Sequence, residues 1–113
     1  MHELSLAYQL VEMASDAARR ENSRQISQLN IEVGKLSGVM IDALTTALTA
    51  IKENSPARNA KINIIEIEVV AVCEECGTEF NPESFYTECP ECKSYKFKIT
   101  KGRELNLKSI IVE

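Results

Sequence analysis

Apolar residues recur at helical spacing from Leu4 to about Glu21. Ala7, Leu10, Val11, Ala14, Ala17 and Ala18 share one side of a cylinder, with Glu12, Asp16, Arg19 and Arg20 elsewhere around it. Asn22-Ser23 breaks the run. Leu29, Ile31 and Val33 then alternate with polar positions, the period of a half-buried strand, and Gly34 and Gly38 bracket a turn. A second helical stripe, Ile41, Leu44, Leu48 and Ile51, predicts a helix from Ile41 to Lys52 that Asn54-Ser55-Pro56 ends. From Lys61 to Val72 the alternation of Ile62, Ile64, Ile67, Val69 and Val72 predicts one long strand. It is longer than one small sheet needs and is expected to run on into the cysteine-bearing segment. Lys96 to Thr100 predicts a short strand and Leu105 to Val112 a last one.

That last strand is too apolar to pair usefully inside a tiny metal module. It is expected to return to the sheet made by the earlier strands, which makes the intervening segment an insertion. The predicted class is α+β, with two helices packed on a small mixed sheet and an inserted zinc-ribbon-like four-cysteine module.

At 113 residues the chain has room for one domain, or one domain with a small appendage, and its 44% hydrophobic content supplies only a modest core. A metal clip helps where the core is thin. No segment is apolar for long enough to cross a bilayer, and the N-terminus lacks the basic stretch and apolar run of a signal peptide. The expected location is therefore the cytoplasm.

The strongest local signal is the cysteine pattern Cys73-Glu74-Glu75-Cys76 and Cys89-Pro90-Glu91-Cys92, with twelve residues between the two turns. Two such turns offer four thiolates from short, rigid loops, the tetrahedral soft-ligand set that zinc takes. In a reducing compartment this pattern binds metal far more often than it forms disulfides. All four positions are filled, so the site reads as structural zinc with no place for substrate. Iron, as in a rubredoxin, is a variant of the same site.

The sole histidine, His2, stands beside the N-terminus. A terminal side chain is ordinarily loose. Here the initiator methionine is expected to be kept before a residue as large as histidine, so Met1 supplies an α-amine. That amine, the His2 backbone nitrogen and the His2 imidazole can close a five-membered and a six-membered chelate ring on one ion. Nitrogen donors in one plane suit nickel(II) or copper(II) rather than zinc. Glu3 could add a ligand, or only favour the helix N-terminus.

The opening Met1-His2-Glu3, the segment Ile31-Glu32-Val33-Gly34-Lys35-Leu36-Ser37, the paired Cys-x-x-Cys turns and Gly102-Arg103-Glu104-Leu105 resemble the HypA/HybF family, nickel metallochaperones of [NiFe]-hydrogenase maturation. The resemblance spans essentially the whole chain. It implies Ni(II) as transient cargo on Met1 and His2 with Glu3 adjacent, and structural Zn(II) on Cys73, Cys76, Cys89 and Cys92. With the inserted zinc-binding module at 71–101, as the strand pattern predicts, the nickel-binding α+β domain is expected at residues 1–70 plus 102–113. The resemblance also implies a HypB-type GTPase partner and delivery to the hydrogenase large subunit, with urease maturation served by some relatives. Certain members carry further histidines near the zinc module, whereas this chain has none beyond His2. A fourth nickel ligand must then come from Glu3, solvent or a partner.

Two other functional classes fit the residues less well. A nucleic-acid-binding zinc ribbon would use Lys93, Lys96, Lys98, Lys101 and Arg103 with Phe85, Tyr86, Tyr95 and Phe97. Glu74, Glu75, Glu79, Glu83, Glu88 and Glu91 crowd the same module, a poor fit to a phosphate backbone. An enzyme would need an open metal position, a general base or a phosphate loop, and the chain offers none of these motifs. Glu66 and Glu68, two apart, read as a solvent-exposed strand edge. Exposed apolar residues leave a homodimer open.

Overall fold

A computed structural model describes residues 3–113. The first helix, α1 (Glu3–Arg20), buries Leu6, Ala7, Leu10, Val11, Ala14 and Ala18. Its one buried polar side chain in this stripe, Ser15, donates to the Val11 carbonyl at 2.7 Å. The helix ends in a Schellman motif. Ser23 N–H bonds the Ala18 carbonyl at 2.9 Å and Asn22 N–H the Arg19 carbonyl at 3.0 Å, with Asn22 at φ +57°. Asparagine is one of the few side chains that tolerates this backbone, which is why Asn22-Ser23 breaks the helix.

The chain then enters β1 (Ile26–Gly34), whose Leu29, Ile31 and Val33 are fully buried. After α2 (Ile41–Ile51) and a 3-10 turn at Lys52–Asn54 comes β2 (Lys61–Ile67), parallel to β1, with Ile31 beside Ile64. The strands β3 (Val70–Cys73), β4 (Glu79–Phe80) and β5 (Phe97–Lys101) follow, and β6 (Leu105–Val112) closes the chain antiparallel to β1. Among the described residues there are two sheets, ordered β2-β1-β6 and β4-β3-β5. Both helices contribute to one core on the first sheet, where Leu44 and Leu48 of α2 are wholly buried with Leu10 and Val11 of α1. The C-terminal strand therefore returns to the first sheet, as its apolar pattern predicts.

One expectation fails. The apolar run to Val72 is not a single strand, because it breaks at Glu68-Val69 and changes sheet. The reason lies in where the backbone bonds go. The Ile67 carbonyl is taken by Lys35 N–H at 3.0 Å, and the Val69 carbonyl by the Asn81 side-chain amide at 2.8 Å. The first is the last bond of the β1–β2 ladder, and the second takes the Val69 carbonyl out of any continuation of it. Glu68 accordingly lies beyond β2 and does not share a strand with Glu66. It pairs with Lys35 Nζ at 2.8 Å, which raises the Lys35 ammonium above its usual range.

At this junction two backbones cross without side chains between them. A Cβ on Gly34 would sit 2.2 Å from the Gly102 carbonyl carbon, and one on Gly102 would sit 2.9 Å from Val69 Cα. The crossing is tied by Gly34 N–H to the Glu104 carbonyl and Leu36 N–H to the Gly102 carbonyl, both at 2.7 Å. The molecule is elongated, 54 × 25 × 18 Å, with a radius of gyration of 17.4 Å. A compact chain of this length would measure roughly 13 Å.

Candidate metal centre

The four cysteines come from two loops of matching construction. In the first, Gly77 N–H bonds the Cys73 carbonyl at 2.9 Å and Cys73 N–H bonds the Thr78 carbonyl at 2.9 Å. In the second, Lys93 N–H bonds the Cys89 carbonyl at 2.9 Å and Cys89 N–H bonds the Ser94 carbonyl at 2.8 Å. Each loop turns through a left-handed residue after its second cysteine, Gly77 at φ +78° and Lys93 at φ +67°. The same chain reversal therefore presents both pairs of sulfurs, with Cys73 and Cys89 buried and Cys76 and Cys92 at the surface.

The sulfur geometry is that of a tetrahedral ligand set. All four Sγ atoms lie within 4.8 Å of one another, with Cys73 to Cys92 at 3.5 Å and Cys76 to Cys89 at 3.7 Å. A zinc–thiolate bond of about 2.3 Å gives a tetrahedron with edges of about 3.8 Å. A disulfide would bring sulfurs to about 2.05 Å, so these cysteines are not paired that way. Among the described residues no fifth histidine, cysteine or carboxylate joins the cluster, so these four thiols form a closed donor set.

The local electrostatics pull the two exposed cysteines in opposite directions. The Thr78 hydroxyl, 3.1 Å from Cys76 Sγ, and the Thr78 backbone favour the thiolate and hold the Cys76 thiol at about 6. At Cys92 the Ser94 backbone also favours the thiolate, but hydrogen bonding with Cys73 and burial outweigh it and push the thiol up to about 12. Four thiolates this close repel one another, and a divalent ion removes that repulsion. Sequence reasoning passed over Thr78 and Ser94. The signal was a hydroxyl residue two positions after the second cysteine of each turn.

The second predicted site falls differently. Met1 and His2 lie outside the described residues. Glu3 opens α1 as the acidic residue of its first turn and is partly exposed. The topology fixes which end of the molecule this is. The 18 residues of α1 span about 27 Å and the 9 of β1 about 30 Å, and the chain reverses between them. The start of α1 and the Gly34 end of β1 are therefore at the same end of the helix–sheet layer, where the second sheet joins.

A family model described as "Hydrogenase/urease nickel incorporation, metallochaperone, hypA" matches residues 1–112. The chain belongs to the HypA family. Relatives in this family include the hydrogenase maturation factor HypA of Chlorobaculum parvum, 36% identical over 113 residues with both chains fully covered. The HypA of Parabacteroides distasonis is 38% identical, with all of this chain and 98% of that one covered. The fold agrees with solved HypA structures. The solution structure of the Ni metallochaperone HypA from Helicobacter pylori superposes with a TM-score of 0.73 at 25% identity, covering 99% of this chain and 97% of that one. A second HypA solution structure gives 0.77 at 25% identity, covering 100% and 97%.

Proposed function

We propose that this HypA-family chain is a nickel metallochaperone of hydrogenase maturation that binds Ni(II) through Met1 and His2, with Glu3 adjacent, and carries structural Zn(II) on Cys73, Cys76, Cys89 and Cys92. The observation that carries the role is the family match over residues 1–112. Zinc is favoured by the donor chemistry, since four thiolates with tetrahedral edges suit zinc or iron and exclude hard cations. The closed set leaves no open position, so the metal stabilises and does not catalyse, and the chain acts as a carrier, not an enzyme. Nickel would take the α-amine, the His2 amide nitrogen and the imidazole in one plane. Binding expels the amide proton, so affinity rises with pH.

The division of labour follows the chain order. Residues 1–70 with 102–113 would carry the nickel site and 71–101 the zinc module. A cargo site at a chain terminus lets a recipient's ligands attack the ion without unfolding a core, which release requires. The recipients in this reading are a HypB-type GTPase and the hydrogenase large subunit, with urease maturation as a further destination, all in the cytoplasm. Among the described residues no helix is long and apolar enough to cross a membrane.

Nickel titration calorimetry on zinc-loaded protein with a native, untagged terminus tests the reading against His2→Ala. Stoichiometric binding that the variant loses is the expected result. Equal binding by both proteins removes His2 from the site.

A further inference from the structure

From Lys93 to Arg103 the chain carries five cations, Lys93, Lys96, Lys98, Lys101 and Arg103, and no carboxylate. The whole chain carries a net −4 and this segment +5, so the remainder carries −9. Among the described residues only Lys93 of the five is in an ion pair, with Glu88 at 3.7 Å. The positive charge is thus concentrated and largely uncompensated, in a protein that is acidic elsewhere.

This segment contains β5, an edge strand of the second sheet. One side of β5 pairs with β3, and its other side presents unpaired backbone donors and acceptors. The opposite edge, β4, is two residues long and carries Glu79. Register puts Phe97 beside Cys73 and Ile99 beside Ala71, so both lie on one face of the sheet and Lys98 on the other. The Phe97 ring is fixed there by an edge-to-face contact with Phe80 at 5.4 Å. At this edge a groove of about 450 Å³ is lined from both faces of the strand, by Phe85, Tyr95, Phe97, Lys98, Ile99 and Arg103, with Glu74 its single carboxylate. Phe85 is 53% exposed and Tyr95 63% exposed. The Arg103 guanidinium stands 5.5 Å over the Phe85 ring, a contact that holds it in place without neutralising its charge.

Lysines alone on an edge strand are explained as protection against edge-to-edge aggregation. That explanation leaves the aromatic groove beside them without a purpose. We infer that β5 is a docking edge for an extended acidic segment of a partner protein, which adds as a further strand with apolar side chains in the Phe97–Ile99 groove and carboxylates on the Lys98 side. Strand addition supplies affinity through the backbone and specificity through alternate side chains, so it demands a segment alternating acidic and apolar. The charge complementarity selects an acidic partner over a second copy of this edge, which would repel. Nucleic acid fits less well, since the six glutamates between Glu74 and Glu91 share the module and a phosphate backbone has no use for the free strand edge. The proposal is independent of the nickel reading.

The test is fluorescence anisotropy with three labelled probes titrated with zinc-loaded full-length protein. They are a peptide alternating glutamate with phenylalanine and valine, a peptide of the same composition in blocks, and a single-stranded oligonucleotide. The alternating peptide should bind saturably and best, and should shift the amide resonances of Phe97–Lys101. Lys98→Glu with Arg103→Glu should weaken it about tenfold, the effect of reversing two surface charge contacts. Equal binding of the block peptide, tighter binding of the oligonucleotide, absence of saturable peptide binding, or indifference to the charge reversal would each overturn the inference.

Discussion

Gly34→Ala is the substitution that tests the junction between the sheets. The added methyl would start 2.2 Å from both the carbonyl carbon and oxygen of Gly102 and 2.7 Å from the Arg103 nitrogen. Carbon contacts settle at about 3.5–4.0 Å, so the two backbones must part by roughly 1 Å or more. No side chain can rotate away, since the obstacles are main-chain atoms. Overpacking of this kind costs about 1–3 kcal/mol. The movement also stretches the Gly34–Glu104 and Leu36–Gly102 backbone bonds, both at 2.7 Å. Losing their net worth adds about 1 kcal/mol each. The expected total is about 3–5 kcal/mol, against a stability of about 5–15 kcal/mol for an ordinary domain. Guanidinium unfolding of zinc-loaded protein, followed by far-UV circular dichroism, would measure it, with zinc content determined in parallel. A destabilisation below about 1 kcal/mol would refute the crossing as described, because no relaxation that small relieves such contacts.

Two further substitutions address the cysteine loops. Cys89→Ser removes a wholly buried ligand, and the chain should then bind less than one zinc in the presence of a competing chelator; structural zinc contributes on the order of 10 kcal/mol in small modules. Undiminished zinc retention would contradict the four-thiolate assignment. Lys93→Gly relieves a left-handed non-glycine residue at the cost of an exposed 3.7 Å ion pair. It should raise the module's stability by up to about 1 kcal/mol, read as slower zinc release to chelator.

How much of this was legible beforehand depends on the range of the interactions. The helices and the strand Leu105–Val112 follow from periodicity, because burial on one face imposes a period that the residues themselves record. The cysteine cluster was equally plain, since ligand type and spacing carry the chemistry. The change of sheet at Glu68-Val69 was not. Apolar alternation continues through it, and alternation says which face is buried without saying in which sheet. What decides the matter is a contact between Gly34 and Gly102, far apart in the chain, and a side-chain amide from Asn81. The two-residue strand Glu79–Phe80 is too short to leave a period. At the metal loops, glycine announces the left-handed turn after Cys76, while Lys93 hides its counterpart behind an ordinary side chain.

The crossing at Gly34 also bears on how such a chain could be assembled from parts. Strands β2 and β6 flank β1, and register sets Ile67 beside Gly34 and Leu105 beside Val33. The departure and re-entry points of the cysteine segment are therefore two strand spacings apart, about 10 Å. Three or four residues span that gap. The four-cysteine segment leaves and rejoins its host through one narrow gate, so it could be exchanged for a short loop, or transplanted to another sheet with two strand ends in this relation, without re-threading either sheet.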